Sequence, residues 1–112
     1  MAFGVASSHH AFSVHYDINN RGTVEGVVEE VFWANPHVHF YIRVTNQDGV
    51  GELWDVEWSH LKGMSERGWT RDSVKIGDII RVTGHLGWNG ATMISIGVSY
   101  GGIVRGDGSP IP

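Results

Sequence analysis

From residue 37 to residue 45 the side chains alternate without a break. Val38, Phe40, Ile42 and Val44 fall on one face, and His37, His39, Tyr41 and Arg43 on the other, the period of a half-buried β-strand. Asn46-Gln47-Asp48-Gly49 then has the composition of a hairpin turn. Residues 52–58 return as a second alternating strand, with Trp54, Val56 and Trp58 on one face and Leu53, Asp55 and Glu57 on the other. Upstream, residues 23–33 form a longer β-rich run. Its Val24, Gly26 and Val28 share one parity while Val31 and Trp33 have the other, and a bulge near Glu29-Glu30 brings both sets to one side. Ala34-Asn35-Pro36 ends the run, because proline interrupts a ladder. Residues 17–22 read as a turn cluster and residues 11–16, with Phe12, Val14 and Tyr16 in alternation, as a short strand.

After Trp58 the period changes. Ser59 is placed to cap a short helix running to about Arg67, with Leu61 and Met64 buried, Gly63 weakening it, Gly68 ending it and Trp69 packed beneath it. Lys75-Ile76-Gly77-Asp78 turns into a strand over residues 79–85, where Ile80 and Val82 alternate with Ile79 and Arg81. Trp88-Asn89-Gly90 is a second hairpin turn, and residues 91–100 a fifth strand. Residues 101–112 form a Gly/Pro-rich tail holding one short strand at 103–105. Three strands, a short helix and two strands is the order of the OB-fold, a five-stranded Greek-key barrel. A long bulged first strand fits, since it serves both halves of the barrel. The alternative is a small β-sandwich with one incidental helical turn. Either way residues 9–100 make a single domain.

Composition narrows the function. The chain has 112 residues, enough for one core. It is 41% hydrophobic and 18% charged, the balance of a globular domain. Eight Lys and Arg stand against twelve Asp and Glu, a net charge of -4, which argues against a nucleic-acid partner. The absence of Cys excludes disulfides, thiolate zinc sites and Cys nucleophiles. No apolar stretch reaches the roughly 18 residues of a membrane span. There is no Gly-x-Ser-x-Gly, phosphate loop or dinucleotide fingerprint. Glu29 and Glu30 point to opposite strand faces unless the bulge realigns them. No catalytic residue is therefore expected, although a metal with an open position can be catalytic.

Residues 1–8 are small, apolar and uncharged. They read like the end of a secretory signal whose basic start and most of whose apolar run are missing, with Ala6-x-Ser8 as a small-x-small cleavage site. Cleavage there makes His9 the first residue of a periplasmic or secreted chain. The plainer reading is a flexible cytoplasmic N-terminus.

Histidine carries the most information, with seven in the chain. His9 and His10 are adjacent. His37 and His39 share the outer face of one strand, about 7 Å apart at the backbone. Imidazole nitrogens bind zinc or copper at about 2 Å, and rings on this spacing can converge on one ion. Glu57, on the outer face of the neighbouring strand, is either a further ligand or the partner that orients an imidazole through its second N–H. The expected metal site is therefore His9, His10, His37 and Glu57, with His39 beside it. If His9 is the mature terminus, its amine and Nδ1 chelate an ion. An imidazole from His10 or His37 then completes a T-shaped nitrogen set, which suits Cu(II) better than tetrahedral zinc. Against this, His37 follows Pro36 and is also placed simply to bond the turn it closes. His15, His60 and His85 are expected to have no such role.

Trp33, Trp54 and Trp69 read as core residues, and Trp58 and Trp88 as exposed. A second reading uses Tyr41, Arg43 and Trp58 as a stacking platform for a saccharide or small polar ligand on the face of strands two and three. A third is a structural, self-associating subunit, a homo-oligomer whose N-terminal segment or tail adds a strand to a neighbour.

Several short motifs recur in a fixed order over residues 9–99: His9-His10-x-Phe12, Gly26-x-Val28, Trp33-x-Asn35-Pro36-His37, Trp54-x-x-Glu57, Gly68-Trp69-x-Arg71-Asp72-Ser73 and Gly77-Asp78. This ordered set resembles a family of small exported bacterial proteins of unknown function, marked by a paired His after the signal peptide and an Asn-Pro-His motif. The resemblance implies a secreted or periplasmic single-domain protein and brings no activity with it. It marks His9, His10, Asn35, His37 and Glu57 as the candidate site. That family usually has Ser at the position of Ala11, so a hydroxyl is missing here. His39 and Tyr41 lie outside its pattern.

Overall fold

The long β-rich run becomes β1 (Tyr16–Phe32), a strand of 17 residues that the rest of the fold wraps around. Its C-terminal half pairs antiparallel with β2 (His39–Thr45), and its N-terminal half with β4 (Ile79–Gly87). Between the two halves the register with β2 shifts from Val28 to Glu30, leaving Glu29 as the extra residue. That bulge resolves the parity conflict: Val28 is buried and Val31 packs against the same core. Gly26 sits where the strand bends, and a Cβ there would stand 2.5 Å from the Arg43 carbonyl oxygen.

The structure is a computed structural model and describes residues 12–97 and 102–112. After β2 the chain turns into β3 (Gly51–Glu57), then α1 (Leu61–Glu66), β4, a 3-10 turn (Trp88–Gly90), β5 (Met93–Ser95) and β6 (Ile103–Arg105). β2 pairs antiparallel with β3, β3 parallel with β5, and β5 antiparallel with β4. With β4 returning to β1, the sheet closes as β1-β2-β3-β5-β4-β1, and β6 adds to β4. This is the OB-fold topology, and closure of one sheet on itself overturns the sandwich alternative. The interior is filled by Val28, Val38, Phe40, Ile42, Val56, Ile80, Val82 and Ile94, the inward positions of the alternating strands. Each such side chain stabilises the fold by about 1.5–3 kcal/mol on full burial.

Several local expectations are corrected. Residues 12–15 are helical rather than extended, and Tyr16 opens β1. The turn cluster at 17–22 lies inside β1: Asp17 Oδ1 does accept the Asn19 N–H, as in an Asx turn. The strand continues because Arg21, Gly22 and Thr23 pair with His85, Gly84 and Thr83. The helix is capped by His60, whose Nδ1 accepts the Gly63 N–H, and not by Ser59. Ser59 lies just past β3, where its carbonyl accepts the Val38 N–H. Gly68, at φ +86°, ends the helix as expected. Trp58, expected at the surface, is in the core with its ring 4.6 Å from Trp69, edge to face. Of the expected strand 91–100, β5 covers Met93–Ser95, and residues 98–101 lie outside the described residues. The short strand expected at 103–105 is β6, which pairs with β4; Val104 also bridges to Pro110, and Ile103 and Ile111 enter the core. Among the described residues no helix is long and apolar enough to cross a membrane.

Candidate functional site

The outer faces of β1, β2 and β3 form a continuous surface whose register is set by the ladders. Phe32 lies opposite His39 and His39 opposite Glu57; the next row is Glu30, Tyr41 and Asp55; the next is Val27, Arg43 and Leu53. The pairing extends one residue past β2, where Val38 donates to Ser59 and accepts from Trp58. That extension holds His37 over the end of β3.

Here His37 Nδ1 lies 2.8 Å from Glu57 Oε2. A carboxylate only accepts, so this contact puts a proton on Nδ1, and in the neutral ring Nε2 is then the nitrogen that carries the lone pair. The imidazole is 49% exposed and Glu57 24%, so the ring has one wet edge and one held edge. The other carboxylate oxygen of Glu57 accepts from the Tyr16 hydroxyl at 2.8 Å. Tyr16 is 2% exposed. Burial pushes its phenol well above the ordinary tyrosine range, and the Glu57 hydrogen bond and the charges of Glu57 and Asp55 add to this.

His39 repeats the pattern one row along. Its Nδ1 is 2.6 Å from Asp55 Oδ1, and its Nε2 is 3.9 Å from Glu57 Oε2. The bond to Asp55 raises its pKa above the usual imidazole value; partial burial opposes this, and the charges of Asp55 and Glu57 assist it. Its ring stacks on Tyr41 at 6.0 Å, with Phe32 edge-on at 6.0 Å. Burial and the surrounding carboxylates Asp55, Glu30 and Glu57 push the Tyr41 phenol upward.

The residues just before β1 are held against β4, the turn after it and Tyr16. Trp88 Nε1 donates to the Ser13 carbonyl at 2.8 Å. Phe12 stacks on Tyr16 at 5.1 Å and meets His85 edge-on at 5.6 Å. Phe12, the first described residue, therefore lies against Tyr16. His9 and His10 lie outside the described residues.

The sequence-predicted residues thus sort unequally. His37, His39 and Glu57 come together. Glu57 has one oxygen on His37 and the other on Tyr16, an arrangement that suits the orienting role. Asn35 Oδ1 accepts the Leu61 N–H at 3.1 Å and ties the β1–β2 loop to the start of α1. The stacking platform is not assembled: Trp58 is in the core, and Arg43 is drawn to Glu29 by two hydrogen bonds of 2.8 and 3.2 Å. Tyr16 and Asp55 were missed. Asp55 was findable, because it shares Glu57's parity on β3; Tyr16 lies 41 residues from Glu57 and nothing local marks it. Among the described residues no group of three or more His, Asp and Glu is placed to hold a metal ion.

Residues 1–95 match the family described as "Family of unknown function (DUF6152)". The chain belongs to that family. No curated protein matches this DUF6152 chain. Solved structures resemble it, among them the following two. The N-terminal domain of PriB from Thermoanaerobacter tencongensis, described as dimeric, is 15% identical, with 78% of this chain and 96% of that one covered and a TM-score of 0.51. The mitochondrial single-stranded DNA binding protein Rim1 of S. cerevisiae is 10% identical, with 68% and 85% covered and a TM-score of 0.47. At this identity the PriB likeness establishes the fold alone.

Proposed function

We propose that this DUF6152 chain binds one transition-metal ion, copper in preference to zinc, through Nε2 of His37 together with His9 and His10. The observation that carries the reading is the link from Tyr16 through Glu57 to His37. A carboxylate on Nδ1 is what metal-ligating imidazoles characteristically carry, since it fixes the tautomer and makes Nε2 a better donor. The same link joins His37 to the segment that leads back to the paired histidines. From Phe12 to His10 is two residues, a reach of at most about 7 Å. The set is all nitrogen, which favours Cu(II) over zinc. Processing that exposes the His9 amine adds a further nitrogen, and we place the mature protein in the periplasm or outside the cell on that ground. The saccharide reading loses its support with Trp58 buried and Arg43 engaged. A polyphosphate partner is disfavoured by a face that presents Glu29, Glu30, Asp55 and Glu57 around the single Arg43.

The test is titration of metal-free protein with Cu(II), using chains that begin at Met1 and at His9. About one equivalent is expected to bind tightly, more tightly when His9 is first, and His37→Ala is expected to abolish uptake. Unchanged affinity in His37→Ala rejects the proposal.

A further inference from the structure

We infer that Tyr16 is a positioning residue for His37, acting through Glu57, and that it decides which ring nitrogen is offered to the metal. That the offered nitrogen meets a metal rests on the reading above; that Tyr16 sets the tautomer does not.

The geometry gives Glu57 two jobs with two oxygens. Oε2 receives His37 Nδ1 and Oε1 receives the Tyr16 hydroxyl, each at 2.8 Å. A glutamate on a strand surface has three side-chain torsions and, held by one exposed imidazole, samples other rotamers. A second bond to a rigid buried group removes that freedom. Tyr16 is such a group. Its ring is stacked on Phe12, its backbone is paired to Gly87 across β1 and β4, and it is almost wholly removed from solvent. The carboxylate plane is thereby fixed from the barrel wall outward. His37, half exposed and just outside β2, is the last and least constrained member. With the carboxylate fixed, the Nδ1–H tautomer is held and Nε2 keeps its lone pair. Without Tyr16 the carboxylate turns to water, the hold on Nδ1 loosens, and the imidazole divides between its two neutral forms.

His39 does not substitute. Its Nδ1 belongs to Asp55, and its Nε2 stands 3.9 Å from the Glu57 oxygen that His37 occupies. The relay therefore serves one imidazole, and Tyr16 is its buried end.

The experiment has two arms. In metal-free protein, with imidazoles neutral, ¹⁵N shifts of the His37 ring report the tautomer. The wild type is expected to show Nδ1–H, Tyr16→Phe a mixture, and Glu57→Gln a mixture or reversal, because an amide cannot accept on both atoms. In the second arm, Cu(II) competition against a chelator is expected to weaken about 10-fold in Tyr16→Phe and by about 10–100-fold in Glu57→Gln. Circular dichroism checks that each variant is folded, and Glu57→Gln carries the tautomer test if Tyr16→Phe is not. An unchanged tautomer in folded Tyr16→Phe, or in Glu57→Gln, overturns the inference. A tautomer that moves while wild-type protein takes up no copper upholds Tyr16 as the positioning residue and rejects the metal reading instead.

Discussion

Gly84→Ala tests the closure of the barrel wall at β4 and β5. Gly84 is buried in β4, opposite Gly22 on β1, where β5 crosses. A Cβ added there would overlap the Ser95 carbonyl oxygen and stand 2.7 Å from its carbon and 3.2 Å from the Ile96 Cα. All three are backbone atoms, so no side chain can swing aside. The β4–β5 ladder is short, with His85 opposite Ser95 and Leu86 opposite Ile94, and it must open to admit the methyl. Inserting a methyl into a packed interior costs about 1–3 kcal/mol, and an immovable backbone puts this case at the upper end. The loss of unfolded-state entropy on replacing glycine returns only about 0.4–1 kcal/mol. A net loss of about 2 kcal/mol is expected. With a urea slope of about 1–3 kcal/mol per molar, the midpoint should fall by about 1 M. Gly49→Ala is the control, since nothing lies near its Cβ position and only its φ of +78° opposes the change. A Gly84→Ala midpoint equal to or above wild type would mean that β5 does not close on β4 as described.

Other expectations follow from single contacts. Asp55→Asn removes the partner that raises the His39 pKa. A raised folded value means that the contribution is fully present below the ordinary imidazole pKa of about 6.5 and is lost as pH rises through the folded value. The urea midpoints of wild type and Asp55→Asn should therefore differ in mildly acidic buffer, by about 1 kcal/mol or less for a partly exposed pair, and converge in alkaline buffer; a gap that widens with pH would contradict the assignment. Asn35→Ala deletes the acceptor for the Leu61 N–H. It should cost about 1 kcal/mol of stability and leave Cu(II) affinity unchanged, so an affinity loss would return Asn35 to the site. Arg43→Ala breaks an exposed pair with Glu29 and should leave the thermal midpoint nearly unchanged.

The sequence was most legible where one periodicity ruled. The alternation of Val38, Phe40, Ile42 and Val44 placed β2, and the parity clash between Val28 and Val31 located the bulge at Glu29. The same alternation put Glu57 on the histidine face. It failed where long-range pairing overrode local chemistry. Asp17 makes its local turn bond, yet β4 draws the chain through it into a strand. Trp58 ends a strand and so read as exposed, but Trp69, eleven residues on, covers it. The glycines after residue 101 read as a tail, while Ile103 and Ile111 were the apolar positions that carried the signal. For the site, Asn35-Pro36-His37 located the imidazole but hid that Asn35 faces α1. Tyr16 was invisible because its partner is brought to it by closure of the barrel rather than by any spacing.

The most direct measurement of the central claim is electron paramagnetic resonance of the Cu(II)-loaded chain beginning at His9, compared with its His37→Ala variant. Nitrogen hyperfine coupling from several donors is predicted, with the His37 contribution lost and the copper weakly held in the variant. Identical spectra from the two proteins, or a spectrum showing copper bound only by oxygen, would contradict a site built on His37.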